Sequence, residues 1–367
     1  MPSRIVLTAV AAVVLATSVS TAPERPAPTV TRVAEGIYLF QTAPYGPVGL
    51  DGNAVAIVSE DGVLVFDSNG TPAAADAVIA ELRRLTPQPV RYVVNSHWHW
   101  DHWYGTEAYT RAFPGVHVVT HEKTRALMAG PAIDFNRPGL ETQLPGFIGM
   151  LEQRVADGRA ASPPPENLAR VEQDLEMSRW FLDQKRAAHL VLPDVTFAHG
   201  LTVRLGSREI QVLNYGRGVT PGDTFLYLPA ERVLVTGDLL IQPITFALSS
   251  YPTEWIAVLE KLDALDAAVI VPGHGAPMHD EAHLHATMAV LRELKRQGLE
   301  ARARGLDPDE ARAEILPRLG ELVTPLTGGD PAREQAFAVQ MADWFLHRVY
   351  EEADGPLTDA IAPIPPR

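Results

Sequence analysis

The 367-residue sequence contains no cysteine. That excludes a disulfide framework, a thiol nucleophile and any thiolate metal ligand. Positive charge is scarce as well: 31 Lys and Arg face 45 Asp and Glu, a net charge of −14. A nucleic-acid groove needs basic side chains to displace counterions from phosphate, so no nucleic-acid partner is expected. Long apolar runs are missing too. The only candidate, Ile5 to Ala16, is shorter than the roughly 20 residues that cross a bilayer, so no stable membrane insertion of the mature chain is expected. At 46% hydrophobic and 21% charged residues, the composition fits a globular protein and excludes collagen-like or largely disordered readings. The length accommodates one large domain with additions, or two domains.

The N-terminus carries an address. Arg4 precedes the apolar run Ile5 to Ala16, and Ser20-Thr21-Ala22 forms a small-residue cleavage pattern, so residues 1–22 read as a signal peptide. An uncleaved anchor is the alternative, since one charge only precedes the run. With no cysteine to carry a lipid, the expected location is periplasmic or secreted. The proline-rich residues 23–32 read as a flexible leader.

Beyond it, short apolar runs at Gly36–Phe40, Ala54–Val58 and Val63–Phe66 read as strands, the last two joined at Asp61-Gly62. Thr71-Pro72 opens a helix as N-cap and first residue, with Val78, Leu82 and Leu85 as its apolar face. Strands Val90–Val94 and Val116–Val119 and a helix from about Glu122 complete an α/β pattern. Residues 130–165 break that pattern with prolines and glycines, and a helix with Leu168, Val171, Leu175 and Leu182 follows. The stretch of about 130–190 is an insertion, either a cover over a site or a surface excursion. Strands return at Val195–Phe197, Leu201–Leu205, Ile210–Leu213, Phe225–Leu228, Val233–Val235 and Val269–Val271, with a helix over Thr253–Leu265. The remainder is helical: Asp307-Pro308 and Asp330-Pro331 have the form of N-caps, and Phe337, Met341, Trp344, Phe345 and Val349 make an apolar stripe.

The chemistry concentrates after Val94, in His97-Trp98-His99-Trp100-Asp101-His102, with Gly105 beyond. Alternation along an extended segment puts His97 and His99 on one side, and a turn presents Asp101 and His102 to a second position. Imidazole and carboxylate together suit zinc, and also manganese or ferrous iron.

This run resembles the His-x-His-x-Asp-His-x-x-Gly signature of the metallo-β-lactamase superfamily, and the resemblance extends over roughly Val33 to Asp280. Asp67 matches the acidic residue at the end of an early strand, Asp238 in Thr236-Gly237-Asp238 the carboxylate that bridges two metals, and His274 in Val271-Pro272-Gly273-His274-Gly275 the terminal metal histidine. The resemblance implies a four-layer αββα sandwich over 33–280, a helical C-terminal extension over 281–367, and metal ligands His97, His99, Asp101, His102, Asp238 and His274. One element departs. Where the family usually reads Gly-x-x-His-Thr-x-Gly-Asp, this chain has Gly216-Arg217-Gly218-Val219-Thr220-Pro221-Gly222-Asp223, with Val219 in place of the third histidine of the first metal site. Valine cannot coordinate a metal. Three readings stay open: one ion in the second site with His97 and His99 orienting water or substrate, two ions with the first weakly held, or a fold without catalysis.

The expected function is metal-dependent hydrolysis of a small molecule. A divalent ion lowers the pKa of water to about 7 from about 16 and so supplies hydroxide to an ester, thioester, lactone or amide carbonyl. Asp101 would bind the metal and orient the nucleophile, and His97 would stabilise the oxyanion. A mononuclear-iron oxidoreductase of sulfur compounds and a non-catalytic metal-binding protein are the alternatives. Arg217, beside the missing ligand, reads either as an anchor for a substrate carboxylate or oxyanion or as a plain loop residue. Trp98, Trp100, Trp103 and Tyr104 are either a substrate wall or core. His279, His283 and His285 read as exposed residues at a helix start, without a third ligand.

Overall fold

The computed structural model describes residues 26–364; the signal peptide expected over residues 1–22 lies outside them. Two sheets form the centre. One is seven-stranded, with β1 (Thr29–Ala34), β2 (Ile37–Gln41), β3 (Ala54–Ser59), β4 (Gly62–Phe66), β5 (Val90–Val94), β6 (His117–His121) and β7 (Val195–Phe197) in spatial order. The other is five-stranded: β8 (Gly200–Leu205), β9 (Arg208–Leu213), β10 (Phe225–Leu228), β11 (Val233–Val235) and β12 (Val269–Val271). Pairing is antiparallel from β1 to β4 and from β8 to β11, and parallel for β4–β5, β5–β6, β6–β7 and β11–β12.

The strand residues alternate between two cores. Ile37, Val55, Leu64, Phe66 and Val94 of the first sheet meet Val203, Ile210, Leu226 and Val235 of the second, so the sheets pack face to face. The outer face of the first sheet, through Val63, Val65 and Val93, is covered by α1 (Pro72–Leu85), together with Tyr109 of α3 (Thr106–Ala112), which follows the single turn α2 (Trp100–Trp103). Thr71 caps α1 as its sequence suggests, accepting a hydrogen bond from the Ala74 N–H at 3.2 Å. The buried face of α1 is Val78, Ile79 and Leu82; Leu85, expected to join it, is exposed at the helix end.

After α4 (Glu122–Met128), the insertion is more regular than its prolines suggest. Residues 131–160 are almost continuously helical, as α5 (Pro131–Pro138), a wider turn at Gly139–Gln143 and α6 (Leu144–Ala160), followed by α7 (Leu168–Ala187). Pro131 falls in a first helical turn, where a missing N–H removes no helical bond, and Pro145 follows directly on the wider turn at Gly139–Gln143. The outer face of the second sheet is covered by α8 (Pro252–Asp263) and α9 (Ala282–Ala303), then α10 (Pro308–Leu319), α11 (Thr324–Thr327), α12 (Pro331–Ala336) and α13 (Trp344–Asp354). Phe225, Leu234, Ile270, Trp255, Leu291, Phe337, Met341, Phe345 and Val349 share one core there. The layers are therefore helix, sheet, sheet and helix, and the apolar stripe of the last helix is core. Asp307 and Asp330 both cap their helices, Asp307 with a reciprocal bond from Glu310. The flexible leader expected over 23–32 gives way at Thr29, where β1 pairs with β2. Among the described residues no helix is long and apolar enough to cross a membrane.

Candidate metal centre

Four strands, β4, β5, β11 and β12, point their C-terminal ends at one rim, and the chain leaving each carries a polar group. Asp67 follows β4, His97 to His102 follow β5, Asp238 follows β11 and His274 follows β12. Parallel pairing of β4 with β5 and of β11 with β12 makes their ends coincide, and face-to-face packing brings the two pairs together.

Asp238 is the shared element. Its Oδ2 lies 3.4 Å from His97 Nε2 and 3.7 Å from His99 Nδ1, while its Oδ1 lies 3.2 Å from His102 Nε2 and 3.5 Å from His274 Nε2. Asp101 Oδ2 closes the second group, 3.1 Å from His274 Nε2 and 3.4 Å from His102 Nε2. His97, His99 and Asp238 thus form one trio of ligand atoms and Asp101, His102 and His274 another. All six residues named from the sequence come together at this rim.

The donor set fits a cation. His97 Nε2, His99 Nε2, His102 Nε2 and Asp238 Oδ1 are buried and find no hydrogen-bond partner in the protein. Buried polar atoms without partners are costly, and His97 Nε2 in one group of ligands and His102 Nε2 with Asp238 Oδ1 in the other are explained by positive ions between them. His102 Nδ1 lies 2.7 Å from Asp67 Oδ2; donating there leaves its Nε2 lone pair free to face the cluster, the carboxylate–histidine pairing that orients metal ligands. Asp67 also accepts from Ser96 N–H and from Ser96 Oγ, and Ser96 Oγ lies 2.9 Å from His97 Nδ1. One buried carboxylate therefore positions a histidine of each trio, directly for His102 and through Ser96 for His97.

The charges follow from these contacts. Burial opposes the ionised carboxylates of Asp101 and Asp238, yet His102 and His274 hold both well below the usual range. Burial likewise opposes protonation of His102 and His274, and the carboxylates outweigh it and raise both. His97 is pushed down to about 3 by burial and by the neighbouring His102 and His99, so its imidazole is neutral and can donate a lone pair.

Close approach of backbone is part of the construction. A Cβ on Gly273 would stand 2.0 Å from Asp238 Oδ1, and one on Gly52 would stand 2.3 Å from His102 Cε1. Asn53 holds the His274 loop through bonds from Nδ2 to the carbonyls of Pro272 and Gly275, at 2.8 and 2.9 Å. Gly52, Asn53 and Ser96 were not legible as site residues, because nothing in their local pattern marks them.

A cavity of about 500 Å³ opens above the ligands, with His99, Asp101, Asp238 and His274 on its floor. Leu50, Ile241, Ile244, Phe246 and Ala336 are among its walls, and Arg333, Gln242 and Gln340 supply polar groups. Phe246 sets its ring edge-on against both His99 and Trp344, at centroid distances of 5.5 and 4.4 Å, so the C-terminal helices back the metal floor.

Several expectations change. No insertion residue lines this cavity, so of the two readings of residues 130–190 the cover is not the one found; the segment after β11 and α12 with the turn that follows supply the walls. Trp98, Trp103 and Tyr104 are buried core, and Trp100 alone of the four aromatic residues lines the cavity. Arg217 faces away from it: the guanidinium pairs with Glu254, donates to the Leu357 carbonyl at 2.7 Å and stacks over Tyr251, strapping the C-terminal tail. Val219 is fully buried in the apolar core against the second sheet. His283 bonds the Ile241 carbonyl and His285 pairs with Asp263, outside the centre.

Comparison with known proteins agrees with this geometry. The family model of the metallo-beta-lactamase superfamily matches residues 47–274. A linear primary-alkylsulfatase of Pseudomonas sp. (strain ATCC 19151) is 25% identical over 267 residues, covering 69% of this chain and 48% of that protein. The chain thus spans about half the length of this curated relative. Among solved structures, a metallo-beta-lactamase from Pontibacter korlensis superposes with a TM-score of 0.51 at 21% identity, over 72% of this chain and 99% of its own. FIM-1 from Pseudomonas aeruginosa, in its mono-zinc form, gives 0.51 at 14% identity, over 74% and 98%. At these identities the structures speak for the fold alone. The family match, which takes in every one of the six ligand positions and more than half of the sequence, makes this chain a member of the metallo-beta-lactamase superfamily.

Proposed function

We propose that the chain is an exported hydrolase that holds zinc and cleaves an ester of an apolar small molecule, with the sulfate ester of a linear alcohol as the first substrate to try. The observation that carries this reading is the pair of ligand trios sharing Asp238 on the floor of an apolar cavity. Support for the sulfate ester comes from the name of the alkylsulfatase relative. Carboxylic esters, thioesters, lactones and amides, which are cleaved at a carbonyl carbon rather than at a sulfate, are the other substrates to try.

When bound, a divalent ion supplies water acidified to a pKa of about 7. His97, His99 and Asp238 Oδ2 would hold one position, and Asp101, His102, His274 and Asp238 Oδ1 the other. Asp101, kept ionised on the cavity floor, accepts a hydrogen bond from incoming water and directs it at the substrate. His97, neutral and fixed through Ser96, would turn its Nε2 lone pair to that ion rather than to the substrate, and the ion's charge would offset the oxygen that gains charge. The walls at Ile244 and Phe246 take the apolar part of the substrate and exclude bulk water. The pattern at residues 1–22 supports export to the periplasm or medium; the N-terminal sequence of the protein recovered from outside the cytoplasm tests that separately.

Elemental analysis of purified protein, followed by rates on nitrophenyl esters from acetyl to decanoyl, decyl sulfate, a lactone and a β-lactam, tests the reading. Zinc-dependent turnover that climbs steeply with chain length is expected, since each buried methylene contributes about 0.8 kcal/mol. Undiminished turnover in Asp101→Ala would overturn the mechanism. Iron with oxygen uptake on a persulfide would move the protein to oxidoreductive chemistry, and tight metal binding without turnover on the whole panel would make it a binding protein.

A further inference from the structure

A second cavity lies on the other side of Trp100, and the reaction above makes no use of it. Its volume is about 700 Å³, and it is built largely by the insertion. Val48, Phe135, Leu140, Leu144, Phe147 and Phe181 supply apolar walls. Trp100, placed in the chain between His99 and Asp101, lines both cavities and is the partition between them.

One cation is set into this apolar surface. Lys185, in the last turn of α7, lines the cavity and is 6% exposed. Its Nζ is buried and has no hydrogen-bond partner. It lies 3.6 Å from the Tyr104 ring centroid and 3.9 Å from that of Trp100. Among the described residues no carboxylate stands within ion-pair distance of it; Asp101 and Asp51 act on it only through space. A buried ammonium has three donors to satisfy, and contact with ring faces offsets only about 0.5–2 kcal/mol of that loss. Burial pushes the ammonium well below the usual lysine range, a shift that a nearby negative charge reverses. The one carboxylate among the described residues that line the cavity, Asp134, is largely exposed and pairs with Arg137, so in a chain of net charge −14 the buried, unpartnered Lys185 is a place for an outside anion.

We propose that this cavity binds an anionic amphiphile, a singly charged head group on an unbranched alkyl chain, with the head on Lys185 Nζ and the chain along Phe135, Leu144 and Phe147. The walls accept methylenes, the single cation accepts one negative charge, and among the described residues that line the cavity there is no second basic group for a dianion. This site is independent of the reaction proposed at the metal centre, and its test reads binding rather than turnover.

Calorimetric titration of the full chain with decanoate, decane-1-sulfonate and decan-1-ol decides it. Both anions are expected to bind, with the alcohol at least tenfold weaker. Lys185→Met should weaken both anions at least tenfold and leave the alcohol unchanged. Gly139→Trp, added to Ala336→Trp so that the metal cavity takes no ligand, should block all three: Gly139 is a helical cavity residue with nothing within 4 Å of an added Cβ, so the backbone tolerates the change. Ala336→Trp, which fills the metal cavity instead, should leave anion binding intact. Should Lys185→Met fail to fold by circular dichroism, Gly139→Trp and Ala336→Trp still separate the two cavities. With Ala336→Trp closing the metal cavity, anion binding that survives the added Gly139→Trp, or that is already lost without it, overturns the proposal, as does equal affinity of the alcohol and the anions.

Discussion

Asp238 joins two half-sites that are supported very differently. On one side, His102 is fully buried, its Nδ1 is bonded directly to Asp67, and its ring is pressed by Gly52, while Asn53 clamps the loop of its partner His274. On the other, His97 reaches Asp67 only through Ser96 Oγ, His99 leans on the edge of Phe246, and Val219, which falls at the third histidine of the family signature, is buried in the apolar core. A ligand held by a direct charge-assisted bond loses less freedom on binding an ion than one held through a hydroxyl. The His102 half is therefore expected to be the tighter of the two.

The comparison is broken most severely by removing ligands. His274→Ala or Asp101→Ala should reduce kcat/KM by about a thousandfold or more and release an equivalent of metal, as losing an essential electrostatic group does in other sites. His99→Ala should do so by a clearly smaller factor, and equal losses would erase the asymmetry. Next comes the support beneath the ligands. Asp67 sits at φ 61°, a conformation asparagine tolerates, so Asp67→Asn keeps the backbone and removes the charge. Chelator competition should show metal affinity falling about 10- to 100-fold, with the His102 half suffering more.

Val219→His sharpens the comparison from the other direction. A third imidazole should tighten the ion on the His97 side about tenfold, read as metal content at limiting free zinc, with some loss of Tm because an imidazole replaces core valine. The smallest effect concerns Asp223, in the same loop. Burial raises its carboxyl from 3.8 to about 7, against the opposing bonds from Thr220. The folded form then holds a proton that the unfolded chain releases, so stability declines as pH rises from about 4 to 7. Asp223→Asn should flatten the Tm profile in that window, and an unchanged slope would assign it to other groups.

Local spacing made much of this molecule legible. Strands such as Phe225–Leu228 and Val233–Val235 begin and end where their apolar runs do, and Thr71, Asp307 and Asp330 cap where a polar residue precedes proline. The ligand residues could be named because His97 to His102, Asp238 and His274 match the positions of the superfamily signature, each after a strand. The insertion was harder, since Pro131 and Pro145 read as breakers until the first helical turn at one and the wider turn before the other are known. Arg217 looked free for an anion because Glu254 and the Leu357 carbonyl are distant in sequence.

By itself, then, the sequence determined the chemistry of the centre: imidazoles and carboxylates, no thiolate, one valine out of pattern, and strands in an order that makes a sandwich. These are decided by residue identity and short-range spacing. The tertiary structure alone decided that Asp238 offers one oxygen to each half, that Asp67 supports both, that α12 rather than the insertion walls the metal cavity, and that Lys185 lies behind Trp100. Each of those depends on packing between segments up to hundreds of residues apart, which no local pattern of side chains encodes.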